Sequence, residues 1–314
     1  MIYPIIFTTL VTFNFIIQFK NKKNNCVMAE FKPTATAPTK STTSVQPKRK
    51  SNAISWIAPV LCLIIGYILW RYVIGANSNF DRPDMAGGFW PDQQAPKGNL
   101  ARMYLGGIIV PILIGTLLTT LVFVVERFLT VTKASGTGNN AEFIRRVQFH
   151  LANKDLDKAL AECDKQKGSV GNVMKAGLRK YREMIGNTEL ATEQKVLNIQ
   201  KEIEEATALE LPMLEKNLVY LSTIASIATL VGLLGTVIGM IRAFASLGEA
   251  GGGDAAQHLS QGISEALYNT ALGIGTSAIA IVFYNIFTTR IDGITYGIDE
   301  SGFTLTQSFA ANYK

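Results

Sequence analysis

Four long apolar stretches dominate this sequence and limit what it can fold into. Residues 54–74 contain one charge, Arg71, near their end, and residues 104–125, 218–241 and 266–287 contain none. Each stretch has about 20 residues, enough for an α-helix to cross roughly 30 Å of bilayer hydrocarbon. Strands are excluded because the stretches are too long and do not alternate with a period of two. The sequence therefore predicts an all-α, polytopic membrane helical bundle with long helices extending into a cytoplasmic helical domain.

The composition agrees with a membrane protein and offers no sign of an enzyme. Hydrophobic residues make up 48% of the chain and charged residues only 17%, against about 25% in soluble proteins. Cys26, Cys62 and Cys163 have no metal-ligand spacing, and the chain lacks a phosphate-binding loop, a zinc-protease motif and a nucleophile elbow. We therefore expect no enzymatic activity, no metal and no cofactor.

The N-terminal region leaves two interpretations open. Residues 2–19 are apolar, but no basic segment precedes them and no small-residue cleavage site follows, so they do not resemble a signal peptide. We prefer Met28 as the true start, with residues 1–27 as an upstream misreading. The alternative is that residues 1–27 contain an additional hydrophobic segment. Residues 28–53 are basic and rich in Thr, Ser, Pro and Ala, which is typical of a flexible arm.

The distribution of charge predicts the orientation in the membrane. Residues 20–50 hold eight Lys or Arg, whereas residues 246–262 hold two acids and no base. The positive-inside rule therefore places both termini and residues 126–216 in the cytoplasm of a multi-pass protein of the bacterial inner membrane. The net charge of +6 is an orientation signal, with membrane lipid as the partner of the arm. Nucleic-acid binding is not expected, because the arm has no interleaved aromatic residues.

These assignments divide the chain into consecutive segments. We expect an amphipathic helix at the end of residues 126–216 to continue into the third span, with Pro212 as the place where it can kink. The predicted segments are the basic arm 28–53, an extra transmembrane helix 54–75, a periplasmic loop 76–103, a transmembrane helix 104–125, a cytoplasmic helical domain 126–216, a transmembrane helix 217–245, a periplasmic loop 246–262, a transmembrane helix 263–288 and a cytoplasmic C-terminal helix 289–314.

Hydroxyl and amide groups, in place of charges, mark the third and fourth spans. They follow helical spacing, so each set shares one helix face. Such faces can line an internal pathway, or they can pack helices together, as the glycines of small-xxx-small patterns do. Spacing alone favours packing. The polar sets are Ser222, Ser226, Thr229 and Thr236; Thr270 and Ser277; and Glu265, Asn269 and Thr276, and the packing glycines are Gly232, Gly235, Gly239, Gly273 and Gly275.

Glu265, at the outer start of the fourth span, has two equally supported interpretations. An ionisable residue in a membrane span is a functional candidate by default, but a carboxylate is also favoured at a helix N-terminus by the helix dipole. No His, Lys, Asp or Glu lies in the middle of any span. If the chain moves protons, we therefore expect a partner to supply the central carboxylate.

Two motifs resemble those of the MotA/TolQ/ExbB proton-channel family, most closely its ExbB/TolQ-like biopolymer transport proteins. The third span contains GLLGTVIGM and the fourth contains EALYNTALG, in the family's order and spacing, and Glu126-Arg127 is also similar. The resemblance covers residues 104–314. It implies an inner-membrane proton-channel subunit that forms a homo-oligomer, a pentamer, around the helices of an ExbD- or TolR-like single-span protein. That partner's aspartate would carry the proton, and the complex would drive a TonB- or TolA-like protein.

When the two motifs are matched position by position, the resemblance implies that several polar residues line the pore. It therefore favours a pathway, rather than helix packing, as the role of the polar faces. Thr229 departs from the family pattern, which has a proline there, and Asn269 replaces a small or hydroxylated residue. Two alternatives remain: a rotary motility stator subunit, and a structural membrane scaffold without ion flow. The residues to which the resemblance gives a pathway role are Thr236, Thr270, Glu265, Thr229, Ser226, Asn269 and Ser277.

Overall fold

A computed structural model describes residues 53–82, 94–249 and 255–313. The predictions for residues 1–27 and for the basic arm up to residue 52 lie outside these described residues. In chain order the elements are α1 (Ala53–Ile68), a π-helical turn (Leu69–Ile74), a 3-10 turn (Asn77–Asn79), β1 (Phe80–Arg82), β2 (Gln94–Pro96), α2 (Asn99–Leu105), α3 (Ile109–Ser135), α4 (Asn140–Ala152), α5 (Leu156–Gln166), α6 (Ser169–Gly186), α7 (Thr192–Glu215), α8 (Leu218–Glu249) and α9 (Ala255–Asn312).

The architecture confirms the predicted all-α membrane bundle. Four helices in the described part of the chain are long and apolar enough to cross a membrane. Their apolar parts lie in α1, α3, α8 and α9. A small antiparallel ribbon accompanies them: β1 pairs with β2, with Phe80 opposite Pro96 and Arg82 opposite Gln94. This ribbon lies in the segment 76–103, for which the sequence predicts only a loop, because strands of three residues carry no detectable alternation.

The first span packs directly on the second through a pair of glycines. A Cβ added to Gly66 would lie 2.7 Å from the backbone nitrogen of Gly115, and one added to Gly115 would lie 2.9 Å from the Cα of Leu63. Small residues at a crossing let two membrane helices approach to backbone contact. The extra first span is therefore seated on α3.

Residues 126–216 form the predicted helical domain, built by α4 to α7 around the extended ends of α3 and α9. Its core contains Phe143, Val147 and Tyr181, each at most 2% exposed. Cys163 is also buried there, and burial raises the pKa of its thiol to about 12. A thiol with so high a pKa is inert at neutral pH, which agrees with a structural cysteine.

The fourth span and the C-terminal helix are one continuous element. Helix α9 runs over 58 residues, which corresponds to about 87 Å at the rise of an α-helix. Its C-terminal part enters the core of the helical domain, where Leu305 and Phe309 are fully buried and the Phe309 ring meets that of Tyr181 edge-on at 4.9 Å. The membrane part of α9 and this domain therefore share one continuous helix.

Helices α7 and α8 are separated by a short break, although we expected one continuous helix. The chain passes through Pro212 without interruption and breaks at Lys216 and Asn217, where Asn217 takes a left-handed φ of 68°. The Asn217 side chain donates from Nδ2 to Oε2 of Glu126 on α3, at 3.2 Å. A contact with a residue 91 positions earlier in the sequence thus helps to fix the position of the break.

A buried arginine ties this break to α3. Arg127 is 2% exposed; its Nε and Nη2 donate to the Glu126 carboxylate, and its Nη1 donates to the carbonyl of Leu214 at 3.1 Å. A buried charge is tolerated when it is both paired and hydrogen-bonded. The Glu126-Arg127 pair therefore holds the end of α7 against the second span.

Gln166 joins four elements of the helical domain through one side chain. Its Oε1 accepts from the backbone nitrogens of Gly168 and Gly171, and its Nε2 donates to the Ser135 carbonyl and to Oδ1 of Asn140. The side chain is almost completely buried, so every one of these groups depends on it for a partner.

We expect Gln166→Ala to lower the stability of the protein by about 2–4 kcal/mol, because buried backbone N–H groups lose their acceptor. Thermal unfolding in detergent, followed by circular dichroism, measures the change. The matched control is Gln200→Ala, since Gln200 is exposed and its side chain donates to Glu204 of its own helix; there the shift should stay within about 0.5 kcal/mol. Equal melting temperatures for the two variants would contradict the role given to Gln166.

Candidate functional site

Helices α8 and α9 form the tightest contact between membrane spans, and glycines make it possible. A Cβ added to Gly273 would lie 2.6 Å from the Ala228 carbonyl oxygen and 2.8 Å from the Cα of Gly232. A Cβ on Gly239 would similarly lie 2.6 Å from the Cβ of Ala266. The two backbones therefore touch, and hydroxyl groups of one helix can reach carbonyl groups of the other.

Two hydroxyl-to-carbonyl bridges cross this contact. Thr270 Oγ1 donates to the Gly232 carbonyl at 3.0 Å, and Ser277 Oγ donates to the Ala225 carbonyl at 2.5 Å. The two donors are seven residues apart on α9 and the two acceptors are seven residues apart on α8, which corresponds to about two helical turns. The same arrangement therefore occurs twice along the antiparallel helix pair.

Each bridge brings one residue of α8 together with one of α9. In an α-helix the carbonyl of residue i accepts the N–H of residue i+4, so the Gly232 carbonyl is shared by the Thr236 N–H and the Thr270 hydroxyl. The Ala225 carbonyl is likewise shared with Thr229, whose Oγ1 lies 3.4 Å away. The structure therefore brings the Thr229 and Ser277 hydroxyls to one carbonyl, and it places the Thr270 hydroxyl at the carbonyl one helical turn before Thr236.

The polar residues of α8 otherwise lie toward the outside of the helix pair. Ser226 and Thr229 are exposed in the single chain, and Thr236 is half-buried. Thr236 Oγ1 donates to the Leu233 carbonyl of its own helix at 2.6 Å. Their hydroxyls therefore lie on a face that a neighbouring helix can cover.

Asn269 is the most deeply buried amide of the site, at 2% exposure. Its Nδ2 donates to the Gly106 carbonyl, just before α3, at 3.2 Å. Its Oδ1 has no hydrogen-bond partner among the described residues. Gly235 makes room for it, since a Cβ there would lie 2.6 Å from the Asn269 Cβ. Asn269 therefore connects α9 with α8 and with the start of the second span.

Glu265 lies one helical turn from Asn269, at the end of the site away from the helical domain. It is half-buried, with Gln261 as hydrogen-bond partner and Arg242 as the neighbouring cation. A cavity of about 420 Å³ opens beside it, lined by residues of α9 and by Asp81, Pro96 and Arg102 of the segment 76–103. The carboxylate is thus accessible from a polar cavity.

Sequence reasoning missed the acceptors and the cavity. The helical stripes mark which hydroxyls share a face, but the carbonyl oxygens of Ala225 and Gly232 carry no sequence signal. Arg102 and Asp81 belong to a segment predicted as a loop, so nothing in the sequence pairs them with Glu265. Gly275, which the sequence groups with the packing glycines, meets no atom within 4 Å of a Cβ added to it in the described part of the chain.

Comparison with known proteins finds a family match that includes the third and fourth spans. Residues 165–300, which contain α8 and most of α9, match the sequence profile of the MotA/TolQ/ExbB proton channel family. Both motifs of the third and fourth spans fall inside the matched region, as do Thr236, Thr270 and Glu265.

Similar proteins with known names include ExbB-like proteins and TolQ proteins. The chain is 38% identical over 87 residues to putative biopolymer transport protein ExbB-like 3 of Synechocystis sp., covering 27% of this chain and 41% of that protein. It is 38% identical over 95 residues to the Tol-Pal system protein TolQ of Haemophilus influenzae, covering 29% and 41%. With TolQ of Pseudomonas aeruginosa it shares 28% identity over 178 residues, 52% of this chain and 77% of the relative. The chain thus spans less than half the length of the first two.

The close contact of α8 and α9 makes a steric prediction. We expect Gly273→Val to destabilise the helix pair by about 1–3 kcal/mol or more, since its side chain would overlap the α8 backbone. Gly275→Val is the matched control, two residues away on the same helix with open space around it. Thermal unfolding in detergent distinguishes them; a Gly275→Val variant as unstable as Gly273→Val would contradict the proposed contact.

Proposed function

We propose that the chain is the proton-channel subunit of an ExbB/TolQ-like complex in the bacterial inner membrane, which couples the proton gradient to TonB- or TolA-type energy transduction and transport at the outer membrane. The match of residues 165–300 to the proton-channel family supports the general activity. The observation that carries the proposal to individual residues is the hydrogen bond from the Thr270 hydroxyl to the carbonyl of Gly232, one helical turn before Thr236 on α8.

The site supplies hydrogen bonds but no proton carrier of its own. Residues 218–241 and 266–287 contain no titratable carboxylate, lysine or histidine, and hydroxyl groups alone are poor relays of protons. A carboxylate in a membrane requires hydrogen-bond donors when it is ionised. We therefore infer that an ExbD- or TolR-like single-span partner supplies an aspartate, and that Thr236 and Thr270 bind it.

The hydroxyls can serve this aspartate because their present bonds are easily exchanged. Thr236 Oγ1 donates to the Leu233 carbonyl of its own helix, and the Gly232 carbonyl that accepts from Thr270 keeps a helical N–H partner when Thr270 turns away. Both hydroxyls can rotate to donate to an ionised carboxylate and rotate back when it is protonated. Ser226 and Thr229, on the same outward side of α8, extend the polar surface toward the helical domain.

Assembly follows from the same surface. The outward face of α8 carries Thr236, Thr229 and Ser226 together with exposed apolar side chains such as Leu230 and Val237. We propose that copies of this chain form a homo-oligomer, a pentamer, which brings these faces around the partner helices. In the same proposal the N-terminus, the helical domain and the C-terminus face the cytoplasm, and the 76–103 and 246–262 loops face the periplasm.

We expect Thr236→Ala and Thr270→Val to lower proton flux and energised uptake at least about tenfold while the oligomer still assembles, because the aspartate loses hydrogen-bond donors. Flux is measured in liposomes containing the complex, and assembly by size-exclusion chromatography. Thr289→Val is the matched control, since this hydroxyl is exposed and donates to the Asn285 carbonyl of its own helix. Wild-type flux in the first two variants would exclude the pathway role.

Glu265 is proposed as a residue of the pathway mouth, so Glu265→Gln should slow proton flux several-fold without abolishing it. The amide keeps the hydrogen bond with Gln261 but removes the charge that faces Arg242. The same liposome assay measures the effect. Complete loss of flux would show instead that Glu265 is an obligatory relay, and no change would remove it from the pathway.

A structural scaffold without ion flow is the second candidate, and one observation favours it. The Thr270 and Ser277 hydroxyls both donate to α8 backbone carbonyls, as packing residues do. Reconstitution decides between the two functions. A proton flux that requires the partner's aspartate would exclude the scaffold, and its absence in a fully assembled complex would favour it.

A further inference from the structure

We propose that the β1–β2 ribbon and α2, which are held at the end of the first span, form one wall of an aqueous vestibule that leads to Glu265, and that charges on this wall select which small ions enter. The vestibule is the 420 Å³ cavity that Asp81, Pro96 and Arg102 line together with α9. One part of this inference rests on the proposed function, namely that the vestibule is the entry to the proton pathway.

An aromatic cluster fixes the wall to the end of the first span. Trp70 is fully buried, its ring stacks on that of Tyr104 at 4.3 Å, and its Nε1 donates to the Tyr104 carbonyl. The ring of Phe80, at the start of β1, meets Tyr104 edge-on at 5.6 Å. Such a cluster gives β1 a fixed position relative to the first span and α2.

Hydrogen bonds hold the ribbon to the same place. Asn79 Nδ2 donates to the carbonyls of Val73 and Ile74 at the end of the π-helical turn, each at 3.0 Å. The backbone nitrogen of Lys97, just after β2, donates to the Asn79 carbonyl. Both strands are therefore anchored at the end of the first span, so the ribbon is a built part of the fold.

The wall is also joined to the helix that bears Glu265. Leu272 of α9 packs against the aromatic cluster, and Asn269 of α9 donates to Gly106, two residues after Tyr104. These contacts lie one to two helical turns along α9 from Glu265. The wall and the carboxylate therefore keep a fixed spacing.

The lining suits water and small hydrated ions. Besides Glu265, α9 contributes the hydroxyl or amide side chains of Ser260, Gln261 and Ser264, and the volume admits several water molecules. The opposite wall carries charges of both signs: Arg102 and the carboxylate of Asp81, which pairs with Lys97 at 3.3 Å. This pair is largely exposed, so its charges act on entering ions through solvent.

Cysteine labelling tests whether the cavity is aqueous. The three native cysteines are first replaced by alanine in the full chain. One variant then carries Ser264→Cys, and the matched control carries Leu267→Cys, three residues further along α9, where the native apolar side chain is 61% exposed and does not line the cavity. Methanethiosulfonates react with the thiolate, which forms in water and not in lipid. We expect Cys at position 264 to react at least about tenfold faster, from outside spheroplasts, than Cys at position 267.

The charges on the wall are tested with two reagents of opposite sign. Arg102→Gln should raise, and Asp81→Asn should lower, the ratio of cationic to anionic labelling at position 264 by about two- to fivefold, as expected for one charge at a distance of several ångströms in water. Both substituted side chains are exposed, so folding is preserved. The control is Lys201→Cys in the helical domain, where the native side chain is 71% exposed. In solubilised protein, the ratio of cationic to anionic labelling at position 201 should be the same with and without the two charge substitutions.

The outcomes separate this inference from the proposed function. Labelling at position 264 no faster than at 267, or a ratio unaffected by both charge variants, would overturn the vestibule even if the complex conducts protons. Fast, charge-dependent labelling in a complex that conducts no protons would support the vestibule and contradict the proposed function.

Discussion

The bond from Thr270 to the Gly232 carbonyl depends on the absence of side chains at Gly232 and Gly273. A Cβ on either glycine would lie within about 3 Å of the opposite backbone, so any larger residue would move the hydroxyl out of reach of its acceptor. The same closeness leaves Asn269 buried between α8, α9 and Gly106. The polar chemistry of the site therefore depends on a steric condition that the glycines satisfy.

The spans and the helical domain could be read from the sequence, because long uncharged stretches and helical periodicity are local properties. The break between α7 and α8 could not, since the left-handed Asn217 is stabilised by Glu126 of a different helix. The ribbon escaped prediction because each strand has only three residues. At the site, the stripes located Thr270 and Ser277 on one face, yet their acceptors are backbone atoms of α8, which no residue pattern reveals.

Continuity of α9 joins the site to the helical domain. Thr270 and Ser277 lie on the same uninterrupted helix as Leu305 and Phe309, which are fully buried in the domain core. On the other side, Arg127 connects the end of α7 to α3, and Asn217 connects the start of α8 to α3. In the proposed function, a shift of α9 against α8 would act on a helix that is anchored in the domain core, and this would give proton transfer a mechanical route out of the membrane.

Packing and pathway roles are compatible for the bridging hydroxyls. Hydrogen bonds between membrane helices contribute on average only about 0.6 kcal/mol, which is close to the thermal energy. A Thr270 hydroxyl can therefore leave Gly232 for an ionised carboxylate at little cost, while the contacts at Gly232, Gly239 and Gly273 continue to hold the helices together. Glycine contacts make the helix pair stable, and weak hydroxyl bridges keep its polar groups exchangeable.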